Sequence, residues 1–279
     1  MSINLPNVYV TEFDSDVHQV FQAKGFQFRP FVRMKNNVVG STVKFPVMGK
    51  GLATQKAIQD DVTPMDVEYS SATATLEQWV APEYTDIFSQ ASINWDDRME
   101  LVEACGMAIG RRCDQIIIDA LEASGTANTI ANGGTGFTFA KFRQAFKFLR
   151  ANAAAVDICC AITATQEQQL LNEERLTNTF FVQRKPLGSN GFELMTVMGV
   201  TFIVIPDNAE GGLPVNGNIE TAFMFAKQSL GMGVAIDHRT EINYIAQKTS
   251  WLVNAIYYAG ATAVDNTGIV EIDTDATVA

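Results

Sequence analysis

The residues of this chain that could act in catalysis or bind a metal ion are few and scattered. Of 279 residues only two are histidines, His18 near the start and His238 beside Arg239. No Gly-x-Ser-x-Gly turn and no Cys-x-x-Cys pair is present, so no recognised motif holds a nucleophile beside a base. Some carboxylates are adjacent in sequence, but adjacent side chains do not face each other on a helix or strand; these pairs are Asp60-Asp61, Asp96-Asp97 and Glu173-Glu174. We therefore predict no catalytic residue, no cofactor and no metal site.

The four cysteines and the one glycine-rich loop also favour structural roles. Cys105 and Cys113 lie in a helical pattern, while Cys159 and Cys160 are adjacent in an apolar run. We expect all four to be small buried hydrophobes in a reducing compartment. The loop Gly133–Gly136 precedes a helical pattern but lacks the Gly-Lys-Ser/Thr ending of a phosphate-binding loop. We interpret this loop as a flexible connector.

Two segments near the start of the chain alternate with period two, as strands do. Val38 to Val47 places Val43 and Phe45 on one face, and Val67 to Leu76 is dense in β-branched residues. The polar stretch between them is about twenty residues long, which is unusual inside a compact domain. A two-stranded ribbon is only marginally stable by itself in water. We therefore predict a long ribbon that projects from the body and lies on a neighbouring molecule.

The longest helix is predicted over 94–123, with Asn94 as its cap and Ser124 and Gly125 as its end. Its apolar residues recur every three or four positions, and Gly106 and Gly110 let another backbone approach closely. A second helix begins near Thr138, and a capping box at Thr165 and Gln168 predicts a short third one. Further strands are predicted over 158–163, 197–205, 221–226 and 233–237, with two more over 251–273. Helices and strands in this irregular order indicate an α+β protein.

Composition and charge narrow the classes of function. Hydrophobic residues make up 47% of the chain, which favours a globular protein. The net charge is −11, which argues against a dedicated nucleic-acid-binding protein. The longest apolar stretch, Thr249 to Val264, is 16 residues long and is too short and polar for a membrane helix, so we expect a soluble protein.

The charge is unevenly distributed along the chain. Residues 1–56 carry seven basic and three acidic side chains, a net charge of +4, and the remainder carries −15. Four phenylalanines between 21 and 31 need a surface to cover them, so residues 1–35 are interpreted as an arm that packs on a surface. The basic segment could bind nucleic acid or the acidic body of another copy, and we prefer the second interpretation.

The order of these elements resembles that of the major capsid proteins of tailed bacteriophages, whose fold also occurs in encapsulin shells. Each matching stretch is weakly specific alone, and the resemblance depends on their order over nearly the whole chain. VVGSTVKFPVMGKGLATQKA (38–57) with VTPMDVEYSSATATL (62–76) is similar to the extended loop of those proteins, and INWDDRMELVEACGMAIGRRCDQIIIDAL (93–121) to their spine helix. The strands of the axial domain are matched by MTVMGVTFIVIPDNA (195–209) and IETAFMFAKQSLGMGVAID (219–237), and the closing strands of the peripheral domain by WLVNAIYYAGATAVDNTGIVEID (251–273).

The resemblance implies a fold and a domain division. It implies an α+β tailed-phage major capsid protein fold with an N-terminal arm (1–35), an extended β-hairpin loop (36–80), a peripheral domain (81–135 and 249–279) and an α/β axial domain (136–248). The peripheral domain would contain the spine helix. The candidate contacts between subunits are Lys44, Lys50, Lys56, Arg29, Arg33, Phe26 and Phe28.

The resemblance also implies partners and a location. We expect self-association into hexamers and pentamers of an icosahedral head that encloses double-stranded DNA, which the protein contacts non-specifically. The expected partners are a portal protein, a decoration protein and a separate scaffolding protein, with scaffold-free assembly as the alternative, because the extended loop begins near residue 36 and leaves no room for a fused scaffold. Assembly is expected in the bacterial cytoplasm, with the product in the virion. Two alternatives stay open, an encapsulin-like shell with protein cargo and a small-molecule-binding α+β enzyme.

Overall fold

The structure, a computed structural model, describes residue 19 and residues 22–93, 95–154, 156–172 and 196–278. Within these ranges the chain forms four α-helices and thirteen β-strands. The helices are α1 (Ile87–Ser92), α2 (Asp97–Glu122), α3 (Phe139–Ala151) and α4 (Ala164–Leu171). The strands are β1 (Arg33–Lys35), β2 (Thr42–Met48), β3 (Tyr69–Thr75), β4 (Glu77–Asp86), β5 (Thr129–Ile130), β6 (Ile158–Thr163), β7 (Thr196–Val197), β8 (Val200–Ile205), β9 (Val215–Asn216), β10 (Ile219–Ala226), β11 (Leu230–Ile245), β12 (Ser250–Ala263) and β13 (Ile269–Asp275).

The first layer is a four-stranded sheet in the order β1-β11-β12-β4, covered on one face by the long helix α2. The strands β11 and β12 form a long antiparallel hairpin, and β4 continues the sheet antiparallel to β12. Side chains of β12 alternate, so that Val253, Ala255, Tyr257 and Ala259 are buried under α2. This sheet and helix together form the first layer of the fold.

The second layer is a seven-stranded sheet in the order β5-β13-β10-β6-β8-β7, with β9 paired separately to β10. Every residue of β6 is buried, as expected for a central strand, and β6 runs parallel to β8. The helix α3 packs on this sheet through an apolar stripe that includes Phe142, Phe146 and Leu149. A hydrophobic core contributed by α2 and by strands of both sheets joins the two layers.

The predicted helices are present, with corrected ends. The long helix begins at Asp97, and its cap is Asp96, whose Oδ1 accepts the backbone N–H of Arg98 at 3.2 Å. Asn94, the predicted cap, lies outside the described residues. At about 1.5 Å per residue the 26 residues of α2 span about 39 Å. The capping box of α4 is formed by Thr163 and Gln166, not by Thr165 and Gln168, because the helix starts directly where β6 ends.

Two predicted strand assignments also change. The segment 197–205 is not one strand, because Met198 and Gly199 adopt positive φ and turn the chain between β7 and β8. The last two strands are joined near residues 266–268 as predicted, but they enter different sheets. β12 stays in the first sheet, and β13 inserts between β5 and β10.

The sheet pairing therefore differs from the predicted domain division. β11 pairs with β12 in the first layer, so the chain crosses between layers at residues 227–229 and again at 266–268. The two crossings lie side by side, since Val264 donates its backbone N–H to the carbonyl of Ser229 at 2.8 Å. A Cβ on Gly268 would overlap the Ser229 hydroxyl, so glycine permits this close approach.

The predicted burial of the cysteines is confirmed, since all four are free and buried. Burial raises the pKa of the Cys113 thiol to about 12, and the thiol lies 3.4 Å from the hydroxyl of Tyr257. A thiol with such a pKa is protonated near neutral pH and is unreactive. Among the described helices, none is long and apolar enough to cross a membrane.

Candidate assembly interface

The ribbon formed by β2 and β3 is seated on the first sheet by its base. Val43 and Phe45 are buried against β11, at the glycines Gly231 and Gly233. A Cβ on Gly231 would lie 2.8 Å from the Phe45 ring, and one on Gly233 would lie 2.8 Å from a methyl group of Val43. Any larger side chain at these two positions would displace the ribbon. The pairing of Thr42 with Thr75 through Met48 with Tyr69 then carries the ribbon away from this seat.

The ribbon tip, residues 49–68, is almost entirely exposed. Val67 alone is partly covered, and no helix or strand forms within the tip. Large apolar side chains face solvent here, with Leu52 83% exposed and Ile58 98% exposed. Exposed apolar groups at this density are typical of an interaction surface. Within a single copy, the described residues do not cover the tip.

The two halves of the tip differ in charge. Lys50 and Lys56 lie in its first half, and the four carboxylates of Asp60, Asp61, Asp66 and Glu68 lie in its second half. None of the six forms an ion pair with any described residue. The tip is therefore a bipolar, partly apolar segment whose charges all remain available to a partner.

The arm packs beside α2 within its own chain. Arg111 donates from Nη1 to the Gln22 side-chain oxygen at 2.8 Å, and Phe26 donates its backbone N–H to the Gly110 carbonyl at 3.3 Å. A Cβ on Gly110 would lie 2.2 Å from the Lys24 carbonyl oxygen. The prediction that the helix glycines permit close backbone approach is thus confirmed at Gly110.

A buried carboxylate anchors the next residues of the arm. Asp114 of α2 is 3% exposed and accepts the backbone N–H of Gln27 on Oδ2 at 3.1 Å and that of Phe28 on Oδ1 at 3.2 Å. These bonds provide hydrogen-bond acceptors for two backbone N–H groups of the arm. Burial raises the pKa of Asp114 to about 6, although both hydrogen bonds favour the ionised form.

Three of the predicted inter-subunit residues are instead engaged within the chain. Phe28 is completely buried and stacks on Phe225, so it has no surface left for a neighbour and leaves the set of candidates. Phe26 is half-buried with its ring edge-on to His238. Arg29 forms an ion pair of 2.7 Å with Asp237. The body of the same chain therefore covers Phe28 completely and Phe26 in part.

The other four candidates remain exposed. Lys44 lies on the outer face of β2, and Lys50 and Lys56 lie in the tip. Arg33 lies over the Phe45 ring at 5.8 Å from its centroid, directly above the ribbon seat. Three of the remaining candidates are thus lysines of the ribbon, and the fourth is an arginine at its base. None of the four forms an ion pair with a described residue.

The described part of the chain brings together no metal-binding group of three or more His, Cys, Asp or Glu side chains. His18 lies outside the described residues. The polar residue that the sequence interpretation missed is Asp114, because its partners are 86 and 87 residues away along the chain. The ribbon seat did carry a signal, since two glycines alternate in the strand at Gly231 and Gly233.

The fold matches solved structures of phage heads. The capsid of cyanophage P-SCSP1u aligns with a TM-score of 0.73 at 16% identity over 98% of this chain and 95% of that chain. A structure from Mycobacterium phage Che8 aligns with a TM-score of 0.74 at 15% identity over 99% and 100%. The head of Helicobacter pylori bacteriophage KHP40 aligns with a TM-score of 0.75 at 11% identity over 98% and 97%. The fold is therefore that of subunits that build phage capsids.

The sequence itself gives the family. The family model described as phage capsid protein matches residues 5–276, nearly the whole chain. No curated protein sequence matches the chain. The chain belongs to the phage capsid protein family. It is a structural protein of the virion capsid, a major capsid protein, as the resemblance implied.

Two glycines one turn apart in α2 allow a matched test of the arm contact. Gly110→Ala should destabilise the subunit by about 1–3 kcal/mol, because the new methyl group overlaps the backbone of the arm. Gly106→Ala meets His238 only at 3.6 Å and should be neutral or stabilising by up to about 1 kcal/mol. Chemical denaturation of the unassembled subunits measures both. Equal effects of the two substitutions would show that the arm does not pack on Gly110.

The raised pKa of Asp114 should make the stability of the folded subunit pH-dependent. Its pKa is raised from 3.8 to about 6 in the folded chain, so folding takes up a proton between these values and stability falls as pH rises through them. Asp114→Asn lacks this titration. The free energy of unfolding of the wild type relative to Asp114→Asn should therefore fall by up to about 3 kcal/mol between pH 4 and pH 7. Other carboxylates cancel in the difference, and a flat difference would contradict a raised pKa.

Proposed function

We propose that the protein assembles into hexamers and pentamers of an icosahedral head that encloses double-stranded DNA. The observation that carries the proposal is the ribbon tip, whose apolar side chains are exposed in the single chain although the ribbon base is firmly seated. The family supports a shell as the destination of such a surface. In this proposal the ribbon of each subunit lies on an adjacent subunit, and closed rings cover every tip.

The two layers of the fold correspond, in this proposal, to the two predicted domains with revised boundaries. The peripheral domain comprises the first sheet and α2, including β11. The axial domain comprises the second sheet with α3 and α4, including β13. Arm and ribbon are appendages of the peripheral domain, because their seats are on α2 and β11. This division follows the sheet pairing rather than the order of segments along the chain.

Other partners in the proposal follow from the role of a phage head. A portal protein, a separate scaffolding protein and a decoration protein are the expected protein partners, and assembly takes place in the bacterial cytoplasm. The packaged DNA is contacted non-specifically. A net charge of −11 suits such a container, since a strongly basic wall would hold the genome by many phosphate contacts.

Deletion of residues 48–64 tests the role of the ribbon tip. Val47 would then be bonded directly to Met65. Since Val47 pairs with Ser70 across the ribbon, residues 65–69 would form the short connection between the two strands. The body should fold with circular dichroism and thermal unfolding close to those of the wild type, and no closed shells should appear by electron microscopy. A control variant that replaces residues 49–64 by a Gly/Ser linker of equal length separates loss of side chains from loss of length. Normal shells from either variant would contradict the proposal.

The three exposed lysines of the ribbon allow a second test. Reversing Lys44, Lys50 and Lys56 together to Glu should impair shell formation and leave subunit folding intact, because all three are exposed. Assembly of the wild type should weaken as salt rises, since charges about 8–10 Å apart are screened at physiological ionic strength. Yield of sedimenting shells measures both effects. Normal assembly with loss of retained DNA would instead identify these lysines as phosphate contacts.

A further inference from the structure

A charged cleft lies beside the ribbon seat, where the arm passes the crossing between the two layers. Its volume is about 740 Å³. Three cationic side chains and one carboxylate line it together with apolar groups; the lining residues are Arg29, Pro30, Val32, Arg33, Met34, Asp157, Lys227 and Gln228. The backbone N–H of Lys227 donates to the Asp157 carbonyl at 3.1 Å, which holds two walls of the cleft together. A cleft lined mainly by one sign of charge concentrates the electrostatic field and attracts the opposite charge.

Two of the three cations are free to bind an anion. Arg33 and Lys227 form no ion pair with any described residue, whereas Arg29 is already paired with Asp237. Arg33 is exposed, and its guanidinium is positioned above the Phe45 ring. Arginine presents a planar set of donors that matches a carboxylate. The cleft therefore offers two unpaired cations beside apolar walls.

The second half of the ribbon tip has the complementary chemistry. Four carboxylates lie between residues 60 and 68, and two apolar side chains, Val62 and Met65, lie among them with 76% and 51% exposure. The first half supplies Lys50 and Lys56, which match the single carboxylate of the cleft, Asp157. The tip thus combines acidic and apolar groups, and the cleft combines cationic and apolar groups.

We infer that the second half of the ribbon tip of one copy docks in this cleft on a second copy. Carboxylates of Asp60 and Asp61 approach Arg33 and Lys227, and Val62 packs against the apolar wall formed by Pro30 and Met34. The inference rests on the proposed function, in which ribbons reach adjacent subunits, and it adds the seat and the polarity of the contact. The sequence interpretation had a basic segment contacting an acidic body. In the contact inferred here the ribbon tip supplies the carboxylates and the body supplies the cations.

The ribbon is long enough for such a contact. The seat lies at Val43 and Phe45, so the three residues of β2 beyond it, 46–48, rise about 10 Å at about 3.4 Å per residue. Half of the tip, ten residues, can extend up to about 33 Å further. The apex near Asp60 can therefore reach several tens of ångströms from its own seat, which is the scale of a neighbouring subunit.

Charge reversal with rescue tests the inference. Arg33→Glu with Lys227→Glu should lower the yield of closed shells by about tenfold or more, because each contact loses its ion pairs at every repeat of the lattice. Asp60→Lys with Asp61→Lys should cause the same loss from the exposed tip, where no folding defect is expected. All four substitutions in one chain should restore most of the yield. Lys147→Glu, an exposed charge on α3 away from the cleft, is the matched control and should assemble normally.

The outcomes separate this inference from the proposed function. If the tip deletion abolishes shells but neither reversed pair does, the cleft is not the seat and the shell function stands. If both reversed pairs abolish shells and the fourfold variant does not recover them, the two groups do not contact each other and the inference is wrong. If the cleft variant assembles normally but retains less DNA, the cleft binds phosphate groups instead. Rescue by the fourfold variant is the result that the inference requires.

Discussion

Exposure of the apolar side chains of the ribbon tip to water is the constraint on which the rest of the structure depends. Leu52, Ile58 and Val62 are between 76% and 98% exposed, and each would gain about 1.5–3 kcal/mol on full burial. Covering them from within the chain would require the ribbon to fold back, but its base is fixed by the glycine seat on β11. The described residues do not cover these side chains, and a second molecule can bury them, which is what a shell subunit requires.

The helix α2 is the element on which several parts of the body meet. Its turn around residues 110–115 receives the arm on one side and the loop after β8 on another, where Gly211 donates its backbone N–H to the Gln115 side chain at 2.8 Å. Arg112 lies 3.5 Å from the centroid of the Trp79 ring of β4 and 3.7 Å from the Glu210 carboxylate. The arm, the loop after β8 and the first sheet thus meet on little more than one turn of helix.

Much of this arrangement could be predicted from the sequence, because its signals are local. Period-two alternation gave the two strands of the ribbon, and the three-to-four spacing of apolar residues gave α2 and the buried face that includes Cys105 and Cys113. The unusually long polar stretch between the strands indicated a projecting tip. Local patterns failed where the outcome depends on distant partners. They could not show that Phe28 is buried in its own core, or that β13 enters the second sheet.

The partner of each charge was equally beyond the sequence. Arg29 is basic and lies near other basic residues, but whether it faces a neighbour or Asp237, 208 residues away, is decided by the fold. The most direct test of the central claim is an electron-microscopy map of the assembled protein at side-chain resolution. We predict that residues 49–68 of each subunit lie against an adjacent subunit, with Leu52, Ile58 and Val62 covered. A ribbon tip that projects into solvent, or folds onto its own body in the assembled state, would contradict it.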